Sequence, residues 1–186
     1  MNMTPESNDI ELIESYLNGD AEAFDILYER YKRRLYSYLN RLLPNRHTLA
    51  DDVFQQTWIK VLKQLPKYKD NERFHGWLTR IAHNVAIDHF RKEKNEVLLE
   101  DTESSNLFAA VGSEPWRELD NVELGKAIAE CLAKLVNEQR EVFVLRQDGF
   151  SFKEIAKLQG CSINTALGRM QYALRNLRNC MGYWRK

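Results

Sequence analysis

Apolar residues recur along much of the chain at the three- and four-residue spacing that puts side chains on one face of an α-helix. In the first half this pattern predicts helices at 10–18, 49–65 and 74–94, and a long helix that Asp20 caps and Pro44 stops. No stretch alternates apolar and polar residues with the period of a strand. We therefore expect an all-α fold.

The hydrophobic period disappears between 96 and 121, where acidic residues are interspersed with Ser, Gly and Pro. This composition is typical of a flexible linker. The period resumes near Leu119 or Val122 with a second set of helices. We therefore predict two small helical domains at 1–95 and 122–186, joined by an acidic linker at 96–121.

Local patterns also predict which positions are buried and where helices begin. Thr48 with Asp51 resembles a capping box at the start of the third helix, whose buried side should include Leu62. In the second domain, one apolar helical stripe is expected to consist of Leu124, Ile128, Leu132 and Leu135. Val142, Phe143 and Leu145 should belong to the next helix.

Two helices with a tight turn are predicted near the end of the chain. Ser151 and Glu154 form a capping box, Gly160 suits a helix end, and Ser162 caps the helix that follows. The expected buried stripe of that helix is Ile163, Ala166, Met170, Ala173 or Leu174, and Leu177. Its polar and basic outer face carries Asn164, Thr165, Gly168, Arg169, Tyr172, Arg175 and Arg178. This arrangement is typical of a helix-turn-helix whose second helix enters the major groove of DNA.

Charge is distributed unevenly, although the formal net charge of the 186 residues is zero. Bases dominate from Ser151 onward and acids dominate between Glu96 and Glu123. A second basic stretch, 67–94, interleaves Lys and Arg with aromatic residues, as in proteins that hold single-stranded nucleic acid. The helical spacing of Phe74 and Trp77 favours core positions, so Tyr68 is the freer stacking candidate.

Patterns for catalysis and metal binding are weak. His83 and His89 are six residues apart, so we expect them on a solvated or DNA-facing helix rather than in a metal site. We find no phosphate loop or nucleophile elbow, and we predict neither an enzyme nor a cofactor.

Three cysteines, Cys131, Cys161 and Cys180, lie far apart in the sequence. Their odd number and wide spacing favour packing as small apolar residues over a disulfide. The N-terminus lacks the apolar segment of a signal peptide, and no apolar run is long enough to span a membrane. We therefore expect a cytoplasmic protein without membrane insertion.

Two motifs in order along the chain resemble bacterial RNA polymerase sigma factors of the sigma-70 family. The segment 50–59, Ala-Asp-Asp-Val-Phe-Gln-Gln-Thr-Trp-Ile, is similar to their region two. The same region is matched by Phe74, Trp77, Leu78, Ile81, Ala82, Asn84, Asp88 and Arg91. The helix-turn-helix resembles region four. Nothing between the two motifs resembles region three, and in this the chain is similar to the small extracytoplasmic-function (ECF) group.

This resemblance implies that the protein binds core RNA polymerase and directs it to promoter DNA. It implies that the polymerase-binding residues are Asp52, Gln55 and Gln56. The residues that it implies for the minus-ten element and melting are Tyr68, Arg73, Arg80, Asn84, Asp88 and Arg91. The recognition helix would meet the minus-thirty-five element with Asn164, Thr165, Leu167, Gly168, Arg169, Tyr172 and Arg175. The acidic linker would thread polymerase channels, and an anti-sigma factor is a further candidate partner.

The chain departs from the family at Leu167, where a basic residue is usual, and at Gly168, where Ser is usual. Base preferences at these positions therefore do not carry over from relatives. A stand-alone helix-turn-helix regulator is the main alternative function, and a purely protein-binding helical adaptor is a remoter one. A sigma factor differs from both because it needs polymerase for tight promoter binding.

Overall fold

A computed structural model describes residues 7–69, 73–97 and 122–182. Every regular element among these residues is a helix, which confirms the predicted all-α fold. The helices are α1 (Asp9–Leu17), α2 (Ala21–Leu42), α3 (His47–Gln64), a 3₁₀ turn (Leu65–Lys67), α4 (Phe74–Val97), α5 (Val122–Ala133), α6 (Asn137–Gln147), α7 (Phe152–Leu158) and α8 (Ile163–Gly182). None of these helices is long and apolar enough to cross a membrane.

Contacts divide the chain into two compact units, the first built mainly from α1–α4 and the second from α5–α8. The core of the first unit comes from aliphatic side chains of all four of its helices. Its fully buried members include Leu12, Ala23, Leu27, Leu35, Leu39, Ala50, Val53, Val61, Leu78 and Val85. Apart from 96 and 97, which continue α4, the predicted linker at 96–121 lies outside the described residues.

Polar side chains tie α1 to α2. Asn8 and Glu11 form a capping box that starts α1, a signal that the hydrophobic pattern alone does not reveal. Arg30 Nη1 lies 2.6 Å from Asp9 Oδ1, and the Tyr31 hydroxyl donates a 2.5 Å hydrogen bond to Asp9 Oδ2. Burial, followed by the bond to this carboxylate, raises the pKa of Tyr31.

The starts of α2 and α3 differ in how well local sequence predicts them. Asp20 caps α2 as expected, because its Oδ1 accepts from the backbone N–H of Glu22 at 3.1 Å. The predicted capping box at Thr48 is wrong, since α3 already begins at His47. Asp51 instead accepts a hydrogen bond from the Tyr36 hydroxyl of α2, a long-range contact that the local pattern cannot show.

His83 contradicts the expectation of solvated histidines on α4. Its side chain is only 1% exposed, and Nδ1 lies 3.1 Å from the hydroxyl of the buried Tyr38. Burial lowers the pKa of His83 to about 4. The helical period explains the difference, because position 83 joins the buried face of Ala82 and Ala86. Within the described ranges, no group of three or more His, Cys, Asp or Glu residues could hold a metal ion.

The second unit contains the predicted helix-turn-helix. The Glu154 N–H donates to Ser151 Oγ at 3.3 Å, and the Ser151 N–H donates to Glu154 Oε2 at 2.8 Å, so the capping box starts α7. Gly160 has the left-handed φ of 61° expected at the end of that helix. Ser162 Oγ accepts from the Thr165 N–H at 3.0 Å and caps α8.

The predicted apolar stripes of the second unit are only partly correct. Leu124 and Ile128 are 41% and 40% exposed, whereas Ala127 and Cys131 are buried on the same helix. On α8, Ile163 is 46% exposed and Ala166 is buried. Leu132 and Leu135 of the first stripe and Ala173 of the second are buried as predicted.

Cys131 and Cys180 form a disulfide, which corrects the prediction that each cysteine packs as a free thiol. Their Cα atoms are 5.7 Å apart despite a sequence separation of 49 residues. Sequence spacing gave no sign of the pair because packing of α5 on α8 brings the two positions together. Cys161 remains a free thiol.

Candidate nucleic-acid interface

The first turn of α8 presents exposed polar side chains on a helix that is fixed from behind. Asn164 and Thr165 are exposed, and Leu167 is 38% exposed. Ala166 and Ala173 anchor the opposite face of α8 in the core. Thr165 also shares a 2.9 Å hydroxyl contact with the Ser162 cap. This is the arrangement that a recognition helix needs to insert its N-terminal part into a groove.

Gly168 leaves open space on α8 just after this first turn. A Cβ atom added there would meet no heavy atom within 4 Å. Packing inside the second unit therefore does not require glycine at this position. The absence of a side chain lets an external ligand approach the backbone of α8 closely.

Arg169 belongs to an internal hydrogen-bond network as well as to the predicted outer face. Its Nη1 donates to Gln159 Oε1 at 2.9 Å, and Gln159 Nε2 donates to Glu141 Oε2 at 3.0 Å. Glu141 is only 8% exposed, and this burial raises the pKa of its carboxyl group. The network fixes the half-buried guanidinium group of Arg169 against α6 and α7.

Further along α8, Arg175 lies over the ring of Tyr172 with its guanidinium carbon 4.5 Å from the ring centroid. Both side chains are exposed, and Tyr172 is 53% accessible. Stacking restricts the orientation of the arginine but leaves its charge accessible to solvent. Arg178 is also exposed, one helical turn later.

In the first unit, an exposed face of α3 carries the three predicted polar residues Asp52, Gln55 and Gln56. Ile59 and Leu62 lie on the same helix and are 52% and 37% exposed. Leu62 therefore contradicts its predicted core position. The surface combines polar side chains with two exposed aliphatic ones.

The adjacent helix α4 exposes Asn84, Asp88 and Arg91, as their shared face predicts. Asp88 lies 3.8 Å from Lys60 Nζ on α3 and 4.0 Å from Arg91 Nη1 on its own helix. The Lys60–Asp88 pair connects the α3 and α4 faces, and exposed pairs of this kind contribute little to stability. Arg80 lies one turn nearer the N-terminus and is half-buried.

Tyr68 is less free than the sequence suggests. Its ring centroid lies 4.9 Å from that of Trp77 and 5.6 Å from that of Phe74, which is buried. Tyr68 and Trp77 nevertheless keep part of their surface accessible. Arg73 is exposed beside them, while residues 70–72 of the loop lie outside the described residues.

Comparison with known proteins assigns both units to one family. The model of sigma-70 region 2 matches residues 27–96, and that of sigma-70 region 4 matches residues 125–177. RNA polymerase sigma factor CarQ of Myxococcus xanthus is 30% identical over 174 residues, which cover 91% of this chain and 95% of CarQ. The ECF sigma factor SigW of Bacillus subtilis is 29% identical over 89% of this chain and 92% of its own length.

The chain belongs to the ECF group of RNA polymerase sigma factors. This sigma factor directs transcription initiation, so the alternatives of a stand-alone regulator and a protein-binding adaptor are set aside.

Two solved structures share the fold of this sigma factor. RpoE of Bartonella quintana has a TM-score of 0.69 at 23% identity, covering 87% of this chain and 98% of that chain. CnrH has a TM-score of 0.60 at 24% identity, covering 94% of this chain and 97% of that chain.

Sequence reasoning missed Arg140, a buried residue that organises the region-four unit of this sigma factor. It is 8% exposed, and its Nη1 donates to the carbonyl oxygens of Leu132 at 3.3 Å and Leu135 at 3.5 Å. Its Nη2 donates to Asn137 Oδ1 at 2.5 Å. Arg140 thus ties the start of α6 to backbone carbonyl groups at the end of α5 and in the turn that follows it.

Proposed function

We propose that the second unit of this sigma factor reads the minus-thirty-five element in the major groove with the first turn of α8. The observation that carries this proposal is the exposed pair Asn164 and Thr165 at the capped N-terminus of a helix whose other face is buried. In helix-turn-helix proteins this end of the second helix meets the base edges.

The side chains of α8 suit different parts of the duplex. Asn164 is matched to adenine, because its amide nitrogen can donate to N7 while its amide oxygen accepts from the N6 amino group in a bidentate pair. Leu167 can contact a thymine methyl group, and Gly168 allows close approach of the backbone. Arg175 and Tyr172 lie further from the N-terminus, where contacts to phosphates are expected.

Arg169 has a narrower role in this proposal than a freely moving arginine would have. Its bond to Gln159 fixes one nitrogen, so the remaining N–H groups can donate to guanine or phosphate only from a set orientation. A fixed donor loses less conformational entropy on binding than a mobile one. The half-buried position therefore favours a single, repeatable contact.

The α3 face of the first unit is proposed to bind core RNA polymerase. Asp52, Gln55 and Gln56 supply hydrogen-bonding groups, and the exposed side chains of Ile59 and Leu62 supply apolar area. Protein interfaces commonly combine an apolar centre with a polar rim. Exposure of two aliphatic residues beside the polar ones supports a protein partner for this surface.

The α4 face and the adjacent loop are proposed to bind the minus-ten element as it melts. Asn84, Arg91 and the half-buried Arg80 supply hydrogen-bond donors, while Asp88 can accept from an exocyclic amine of a base. The accessible part of Tyr68, next to Trp77 and Arg73, offers a stacking surface for an extruded base.

The proposed domain boundaries are 1–95 and 122–186, with an acidic linker at 96–121 that occupies polymerase channels. We also propose a cytoplasmic location and regulation by an anti-sigma factor. RpoE of Bartonella quintana has been solved with the anti-sigma factor NepR, which supports a partner of this kind for a related fold.

Transcription of a randomised promoter library tests the assignment of α8. Core polymerase is combined with the wild-type sigma factor, Asn164→Ala or Arg175→Ala. Asn164→Ala should relax the preference at one base pair of the upstream element, at a cost of roughly 1 to 3 kcal/mol. Arg175→Ala should lower transcription about equally across sequences and flatten the salt dependence.

The two variants control for each other because both positions are exposed on the same helix. A shifted sequence preference with Arg175→Ala, together with a uniform loss with Asn164→Ala, would reverse the proposed orientation of α8 in the groove.

A further inference from the structure

The Cys131–Cys180 disulfide joins α5 to the C-terminal part of α8, far along the helix from the first turn that is proposed to read bases. Cys131 of α5 is 1% exposed, whereas Cys180 of α8 keeps part of its surface accessible. Asn164 and Thr165, by contrast, lie at the opposite end of α8. A redox change at the pair can therefore alter the unit without touching the base-reading side chains.

The segment closed by the disulfide contains α6, α7 and most of α8, and therefore the complete helix-turn-helix. Joining its ends removes conformations from the unfolded state of this segment. The bond thus favours the folded form of the unit that reads the upstream element.

Packing of α5 on α8 without the disulfide relies on a small apolar cluster. Its buried members are Leu132, Leu135 and Ala173, with Phe143 and Leu177 packed against them. The N-terminal half of α5 adds less, because Leu124 and Ile128 remain exposed. A covalent bond between α5 and α8 is therefore a substantial part of their attachment.

We propose that Cys131 and Cys180 are a reversible oxidation site whose disulfide form stabilises the DNA-reading unit and raises promoter-dependent transcription. This inference rests on the proposed role of α8. It gives the sigma factor a response to peroxide that resides within its own chain.

The chemistry is balanced with hydrogen peroxide as the oxidant. The thiolate of the accessible Cys180 attacks one peroxide oxygen and becomes a sulfenic acid, and the other oxygen leaves as water after protonation. The Cys131 sulfur then attacks the Cys180 sulfur, forms the S–S bond and displaces a second water molecule. Two thiols lose two electrons and two protons in all, and the peroxide is reduced to two molecules of water.

A dithiol reductant reverses the reaction. Its thiolate attacks the accessible Cys180 sulfur, the S–S bond breaks, and Cys131 leaves as a thiolate that takes up a proton. The second thiol of the reductant then resolves the mixed disulfide and releases Cys180. The partly accessible surface of Cys180 gives both oxidant and reductant a point of access.

The test compares full-length wild-type protein with Cys131→Ser, Cys180→Ser and the control Cys161→Ser, each after treatment with dithiothreitol or hydrogen peroxide. Peptide mapping identifies the linked cysteines, and thermal unfolding reports stability. Transcription with core polymerase is measured on a promoter that depends on its upstream element, near the melting temperature of the reduced protein.

We expect a 131–180 linkage and a higher melting temperature in oxidised wild-type protein and in Cys161→Ser. Transcription by these two proteins should exceed that of their reduced forms by at least about fivefold, the lower end of typical coupling between distant sites. Cys131→Ser and Cys180→Ser should not respond to peroxide. Loss of core packing could also change the behaviour of Cys131→Ser, because position 131 is buried. Cys180→Ser removes the same disulfide at a less buried position, so it separates the two causes.

Absence of the 131–180 linkage after oxidation would overturn the proposal, and so would equal transcription by the oxidised and reduced wild-type proteins. A failure of the proposed α8 role has a different result. Oxidation would then still link the cysteines and raise the melting temperature, while upstream-element mutations would have no effect on transcription in either redox state.

Discussion

The buried His83 makes the stability of the first unit depend on pH. Its pKa is lowered from 6.5 to about 4 by burial, so the folded state keeps the ring neutral at pH values where the unfolded state binds a proton. The protonated ring carries an N–H at both nitrogens, and Nε2 has no hydrogen-bond partner among the described residues. Full stability is therefore present above pH 6.5 and falls as the pH drops toward 4.

The magnitude follows from linkage between proton binding and folding. Lowering the pH from 7 to 5 leaves folded His83 largely neutral but protonates it in the unfolded state. The free energy of unfolding should consequently fall by about 2 kcal/mol from this residue alone. At pH values below the pKa of His83 in both the folded and the unfolded state, the total loss should reach about 3 kcal/mol.

Urea-dependent hydrogen exchange of α4 peptides measures this loss in the full-length protein. Wild-type protein and the control His89→Gln, a change at a partly exposed histidine of the same helix, should both lose the His83 contribution between pH 7 and pH 5. His83→Gln should lack it, although the substitution lowers stability at both pH values. An unchanged pH dependence in His83→Gln, or an NMR titration of His83 with a midpoint near 6.5, would refute the reasoning.

Three further predictions concern other parts of the chain. Asp52→Ala should weaken association with core polymerase in a competition assay while changing the free energy of unfolding by about 0.5 kcal/mol or less, since the side chain is exposed; a large loss of stability would make the residue structural. Reduction of the Cys131–Cys180 bond, with its sequence separation of 49, should lower the free energy of unfolding of the second unit by about 4 kcal/mol in the loop-entropy model, as measured by urea unfolding with and without reductant. Equal stability of the two redox forms would contradict it. Ser151→Ala should cost about 1 kcal/mol by removing the cap of α7, whereas Ser151→Gly should cost only a few tenths; equal melting temperatures for the two variants would count against the cap.

The local sequence by itself determined where the helices form and where the helix-turn-helix lies. Helical periodicity predicted the all-α class, because one apolar face must be buried in each amphipathic helix. Ser151, Gly160 and Ser162 predicted the ends of α7 and α8, because their contacts reach only a few residues along the chain. The exposed first turn of α8 follows from the same local geometry, so the candidate residues Asn164 and Thr165 were accessible to sequence reasoning.

Tertiary packing decided which positions within those helices are buried and which distant groups meet. Periodicity does not distinguish Ile128 from Ala127 at the edge of an apolar face, because the outcome depends on how closely the neighbouring helix approaches. The ring of His83 meets the hydroxyl of Tyr38 from another helix, and Cys131 meets Cys180 across 49 residues of sequence. These contacts join residues far apart in the chain, and local spacing carries no information about such distances.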